Sequence, residues 1–99
     1  MNVQWTKRGE LRLRQCRDYI ANLTQDHATA HKFEDGLIDA SLQLADFPLS
    51  GTEVREIGRR EIRELGYEGY RLIYKYTSKC CYVLSVRHHL FSIKSMRSL

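Results

Sequence analysis

Ninety-nine residues suffice for one domain and leave no room for two, so the whole chain, 1–99, is read as a single unit. With 42% hydrophobic and 28% charged residues the composition is that of a soluble globular domain, and no apolar run approaches the roughly 18 residues of a membrane span. The formal net charge of +4 is carried unevenly: residues 1–50 hold six Lys/Arg against seven Asp/Glu (−1), residues 51–99 ten against five (+5). From Gly69 to Leu99 there are six basic residues and no acidic one, a field that favours nucleic acid, a ribosome-like surface or an acidic protein partner.

Met1–Lys7 has no apolar signal region, so the chain reads as soluble and cytoplasmic. Three cysteines are an odd number, and Cys80 and Cys81 are adjacent, which is poor geometry for a structural disulfide. No C-x-x-C pair offers a zinc site. Reduced, packed thiols are expected, with no metal and no cofactor.

In chain order, Asn2–Trp5 reads as a strand and Thr6 as the N-cap of a helix. The full capping box is absent, because position 9 is Gly. Leu13, Cys16, Ile20 and Leu23 form one apolar stripe on a helix of about 17 residues. The chain pauses at Thr24–His27, where Thr24 or Asp26 can cap a second helix. Ala30, Phe33, Leu37, Ala40, Leu44 and Phe47 then recur at alternating spacings of three and four, the clearest periodicity in the sequence. Gly36 inside that run is expected to let the two helices of an antiparallel hairpin approach closely. Pro48 ends the second helix and Gly51 marks the turn beyond it.

Thr52–Arg60 lacks periodicity and reads as a surface connection pinned by Val54 and Ile57. Three strands follow, at Glu61–Leu65, Tyr70–Tyr76 and Cys81–Arg87, separated by hairpin-length connections and therefore a meander. Tyr70, Leu72, Tyr74 and Tyr76 share one face of the middle strand, and Arg71, Ile73 and Lys75 the other. The tail from His88 reads either as a last helical turn carrying Leu90, Ile93 and Met96 or as an extended edge.

The architecture is thus α+β: an N-terminal strand, an antiparallel helical hairpin, then a three-stranded antiparallel meander. The hairpin covers one face of the sheet and the other is expected to be free. There Arg71 and Lys75 stand together, joined by Arg63 and Arg87 of the neighbouring strands. No phosphate loop, dinucleotide fingerprint, nucleophile elbow or H-E-x-x-H motif is present. Carboxylate pairs such as Glu61 and Glu64 read as solvated strand charges. What chemistry remains lies in Arg63, Arg71 and Arg87 with His88 and His89. Arginines could hold a phosphate while His89 moves a proton, or these residues could simply be a solvated basic face. Tyr67, Tyr70, Tyr74, Tyr76 and Tyr82 could stack bases, but alternation favours packing for Tyr70 and Tyr74.

These residues resemble a known family. Val3–Thr6, Tyr19-Ile20, Ala30 with Phe33, Leu44 with Phe47-Pro48 and Gly51, Arg63-Glu64-Leu65, Gly69-Tyr70-Arg71-Leu72-Ile73-Tyr74 and Val83-Leu84 with Val86 and His88 are similar to the RelE/ParE toxin superfamily, of plasmid stabilisation type. The resemblance implies the toxin half of a bacterial type II toxin–antitoxin pair, forming a hetero-oligomer with a cognate antitoxin. RelE-like members are ribosome-dependent messenger-RNA endonucleases, acting on the ribosome and its mRNA. Arg71 matches their strand arginine, but Glu64 stands where a catalytic lysine is expected, His89 where an arginine is expected, and Ser95 near a tyrosine position. ParE-like members inhibit DNA gyrase without RNase chemistry, and Arg63-Glu64-Leu65 and His88 resemble theirs. Their usual H-G-R-R is here His88-His89-Leu90-Phe91.

A carboxylate at position 64 would repel the phosphate a nuclease must hold, so the ParE-like reading is favoured. It implies a blocking toxin, not an enzyme, with target or antitoxin contacts at Arg63, Arg71, Lys75, Arg87, His88 and His89. The alternatives are a nuclease using Arg63, Arg71 and His89, or a degenerate, non-toxic interaction module.

Overall fold

The computed structural model describes residues 1–90. Its elements are β1 (Asn2–Trp5), α1 (Lys7–Thr24), α2 (His27–Leu42), β2 (Thr52–Glu53), β3 (Ile62–Tyr67), β4 (Tyr70–Tyr76) and β5 (Cys80–His88). The expected strand, hairpin and meander are all present, and the sheet is larger than the meander by two edge strands. Its order is β1-β5-β4-β3-β2. β1 lies parallel to β5, with Asn2 opposite Cys80 and Trp5 opposite Val83, whereas every other pairing is antiparallel. β2 was not expected; its two residues pair with Glu64 and Arg63, too short a run to show any alternation.

Local chemistry explains the helix ends. The Thr6 hydroxyl oxygen accepts from the Gly9 amide at 3.0 Å and donates to the Val83 carbonyl at 3.0 Å, so one cap fixes α1 against β5. Gly9 is needed for that approach, because a Cβ would collide with the Val83 carbonyl. Asp26 caps α2, accepting from the amides of Ala28 and Thr29 and from the Thr29 hydroxyl at 2.7 Å. The Thr29 hydroxyl, with these amides, holds its carboxyl below the ordinary range. The β3–β4 hairpin turns through two residues, Glu68 (φ 46°) and Gly69 (φ 82°), the paired positive φ of a type I′ turn.

The main core lies between the helices and one face of the sheet: Leu13, Phe33, Leu37 and Leu44 meet Leu72, Tyr74, Cys81, Val83 and Val86. Two residues of the sequence stripes fall outside it. Leu23 is 70% exposed in the last turn of α1, and Phe47 is 66% exposed. α2 ends at Leu42 and tightens into a 3-10 turn at Gln43–Ala45, which breaks the spacing before Phe47 and before Pro48 is reached. Gly36 also serves a different contact from the one expected. A Cβ there would strike the Tyr67 hydroxyl, so the residue admits β3, not α1.

The opposite face of the sheet is not free. Val54, Ile62 and Ile73 form a second, fully buried cluster, with Ile57 and Leu84 packed against it. Val54 and Ile57 do pin the connection after β2, as expected, and the connection therefore covers part of that face. Among the described residues no helix is long and apolar enough to cross a membrane. Cys80 and Cys81 are buried, Cys16 is half-buried, and all three are free thiols. His88 closes β5 and Leu90 follows in a turn, while Ile93 and Met96 of the expected tail lie outside the described residues.

Candidate functional site

Residues directly opposite one another in a ladder share a face, so the register assigns each candidate side chain. Arg71, Ile73 and Lys75 alternate along β4 on the face away from the helices, with Lys75 opposite Ile62 of the second cluster. Arg71 is not a free cation there. Its Nη1 and Nη2 donate to the two carboxylate oxygens of Glu56 at 2.9 Å each, a bidentate fork. Its Nε donates to Glu64 at 3.1 Å, and its Nη2 also pairs with Glu64. The side chains of Arg71, Glu56 and Glu64 are only 13%, 23% and 26% exposed. The Glu56 bonds first, and then those of Glu64, raise the Arg71 pKa against the opposing effect of burial. One guanidinium is thus held between two carboxylates.

Arg63 is on the other face. It stands opposite Tyr74, whose ring is buried in the main core, and its Nε donates to the Gly51 carbonyl at 2.9 Å. The expectation that Arg63 would join Arg71 and Lys75 is corrected by this register. Tyr74 completes the same knot: its hydroxyl donates to the Pro48 carbonyl at 2.7 Å and accepts from the Gly51 amide at 3.0 Å. A Cβ at Gly51 would meet the Glu64 carbonyl and the Tyr74 ring. The spacing of Pro48, Gly51, Arg63 and Tyr74 that carried the family resemblance is thereby an architectural lock. Tyr74→Phe should strand a buried amide and carbonyl and cost about 1–3 kcal/mol, read as a lower urea midpoint at unchanged slope.

Arg87 is opposite Arg71 in the ladder, yet its side chain lies elsewhere. The pairing of β1 with β5 ends at Trp5 opposite Val83, and beyond it Arg87 lines a groove of roughly 600 Å³ with Arg12, Cys16 and Tyr19 of α1 and with Tyr70 and Val86. Burial first, then the charges of Arg12 and Arg8, lowers the Arg87 pKa. Burial likewise raises the Cys16 thiol. His88 meets Tyr70 edge-on at 5.3 Å between ring centroids, and its ring lies 4.5 Å from that of His89. His89 is exposed, and its Nδ1 and backbone N–H lie 2.8 and 2.9 Å from the Gly69 carbonyl. The candidate residues thus divide into three places: Arg71 and Lys75 on the outer face, Arg63 in the lock under the helices, and Arg87, His88 and His89 at the end of β5. Glu56, which the sequence reading passed over, is the group that decides the state of Arg71. Among the described residues no group of three His, Cys, Asp or Glu side chains could hold a metal ion.

Against known proteins, the sequence model for the ParE toxin of the type II toxin–antitoxin system parDE matches residues 3–91. The chain belongs to the ParE toxin family. Curated protein sequences give no match. Among solved structures, the chromosomal ParDE toxin–antitoxin system from P. aeruginosa superposes with a TM-score of 0.74 at 18% identity, over 89% of this chain and 95% of that one. The RelBE2 toxin–antitoxin complex from Mycobacterium tuberculosis gives 0.61 at 18% identity, over 88% and 95%. At such identities both likenesses speak for the fold. Family membership makes this ParE chain a toxin of the type II toxin–antitoxin class.

Proposed function

We propose that this ParE-family chain acts by binding and blocking DNA gyrase, and that a cognate antitoxin holds it inactive in a hetero-oligomer. The observation that supports blocking over RNA cleavage is the state of Arg71. A nuclease of the RelE kind needs that strand arginine to receive a phosphate. Here Glu56 and Glu64 already occupy four of its five N–H donors and set two carboxylates where a phosphodiester would have to bind. Arg63 cannot compensate, because it faces the helices and is bonded to Gly51. Arg12 and Arg87, neither of them in an ion pair among the described residues, lie at the groove beside α1, which suits a protein partner.

Purified chain should inhibit gyrase supercoiling in vitro and leave messenger RNA on programmed ribosomes intact. Co-expression with the small reading frame beside its gene should yield a stable complex that relieves the inhibition. Transcript cleavage without any effect on supercoiling would transfer the chain to the nuclease branch, and inactivity in both assays would make it a non-toxic interaction module.

A further inference from the structure

We propose that the outward face of α1, through Lys7, Arg8 and Arg14, is a docking ridge for the phosphate backbone of duplex DNA. The proposal deepens the gyrase reading and rests on it for where the duplex is met, because gyrase acts on duplex DNA. Three observations carry it. The first is how charge is divided between the helices. Residues 1–50 sum to −1, yet α1 holds five Lys/Arg against two Asp/Glu (+3), whereas α2, packed beside it, holds one against three (−2). The helical layer is therefore an electrostatic dipole, and a polyanion approaching it is turned towards α1.

The second is availability. Lys7, Arg8 and Arg14 are exposed, and none of them forms an ion pair among the described residues. Of the two carboxylates on the helix, Asp18 is paired with Arg17, and Glu10 stands within the ridge as its one opposing charge. Lys7 and Arg14 lie two turns apart on one face, about 10 Å along the axis, with Arg8 beside Lys7. The ridge's field reaches the neighbouring strand: after burial, Arg12 and then Arg8 lower the Arg87 pKa. The third is what this face lacks. Leu11, 47% exposed, is the only large apolar side chain exposed between Lys7 and Asp18, and no aromatic residue lies there. Exposed ion pairs with a peptide's carboxylates gain little without apolar anchors. A nucleic-acid backbone gains more from the same cations, because each phosphate contact releases condensed counterions. A single strand needs rings on which to stack its bases, so a duplex fits this face better.

The probe is a fluorescent DNA duplex of mixed sequence and about 20 base pairs, read by anisotropy across a salt series, with a DNA single strand and an RNA duplex of the same sequence as further arms. The parent chain should bind the DNA duplex at least as tightly as either of the others. K7Q/R8Q/R14Q, whose glutamines keep helix propensity, should weaken binding by about tenfold or more and flatten the slope of log K against log salt by about 2 to 3. R55Q/R60Q/K79Q removes the same charge from exposed positions outside α1 and should stay within about threefold of the parent. Circular dichroism should show both variants folded. In supercoiling assays K7Q/R8Q/R14Q should need about threefold or more protein for half-inhibition. Equal losses in the two triple variants, an unchanged salt slope or half-inhibition in K7Q/R8Q/R14Q, or tighter binding of the single strand or RNA duplex would overturn the proposal. The gyrase reading is judged apart. If the parent inhibits supercoiling but binds no free duplex, the ridge assignment fails and the gyrase reading stands. If duplex binding depends on the ridge while supercoiling is untouched, the gyrase reading fails and the ridge stands as a DNA site.

Discussion

Phe33→Ala should destabilise the chain by about 3–5 kcal/mol, the largest single loss expected from any core truncation here. The ring is 6% exposed and lies between Tyr67 and Tyr70, with centroid distances of 5.8 and 4.9 Å and tilted planes. Its removal costs transfer energy, leaves a cavity and deletes two aromatic contacts that join α2 to the β3–β4 hairpin. A domain of this size has only about 5–15 kcal/mol of total stability. The melting temperature should therefore fall by at least about 12 °C. Phe33→Leu, which keeps most of the apolar volume, should cost about 1–2 kcal/mol. Growth inhibition by Phe33→Ala should disappear with the folded protein, and thermal melting separates that loss from a lost contact. A melting point within a degree or two of the parent would mean that Phe33 does not join the helices to the sheet.

The periodic parts of this fold were legible because burial there repeats. Ala30, Phe33, Leu37 and Leu44 are all buried where the three-four spacing puts them. Tyr70–Tyr76 is recovered residue for residue, since one face meets the helices and the other the small second cluster. Legibility failed at element ends and in elements too short to repeat. Leu23 sits beyond the part of α1 that the sheet covers, and Phe47 lies past the change from α to 3-10 geometry. Neither event alters the spacing of the letters. β2 has two residues, so it carries no pattern, and only its partner β3 defines it.

The site was harder to read because a strand's parity is a one-residue matter. Placing Arg63 beside Arg71 required knowing which face residue 63 took, and the segment alone allows either. The signal was in its neighbours. Leu65 and Tyr67 share parity with Arg63 and pack against the main core, so Arg63 had to follow them under the helices. Ile62 and Glu64 have the other parity, which brings Glu64 to Arg71. Glu56 had no comparable signal. It lies in an aperiodic connection, and only the packing of Val54 and Ile57 beneath that connection brings its carboxylate to the guanidinium. Such a pairing belongs to tertiary structure.

His89→Ala should leave growth inhibition and gyrase binding within about twofold of the parent. The same substitution in a nuclease that used this histidine for proton transfer would lower cleavage by about 100- to 10,000-fold. The ring is exposed, and Nδ1 is anchored on the Gly69 carbonyl at the β3–β4 turn, which leaves Nε2 able to take a proton. Availability of that lone pair is not enough for catalysis. Proton transfer accelerates phosphodiester cleavage only where a second group holds the phosphate and meets its developing charge. Arg71 is the nearest candidate by motif, and its donors are committed to two carboxylates; Arg63 is bonded beneath the helices. Releasing the arginine is therefore the sharper challenge. Glu56→Gln with Glu64→Gln removes both carboxylate charges that hold Arg71, so messenger-RNA binding should rise while, on the blocking reading, cleavage stays absent. Colony survival on induction, supercoiling assays and transcript integrity should be measured for His89→Ala, for the Gln pair and for all three changes together. Cleavage that appears in the Gln pair and is lost again when His89 is replaced would mean that this chain carries a nuclease site held shut by Glu56 and Glu64.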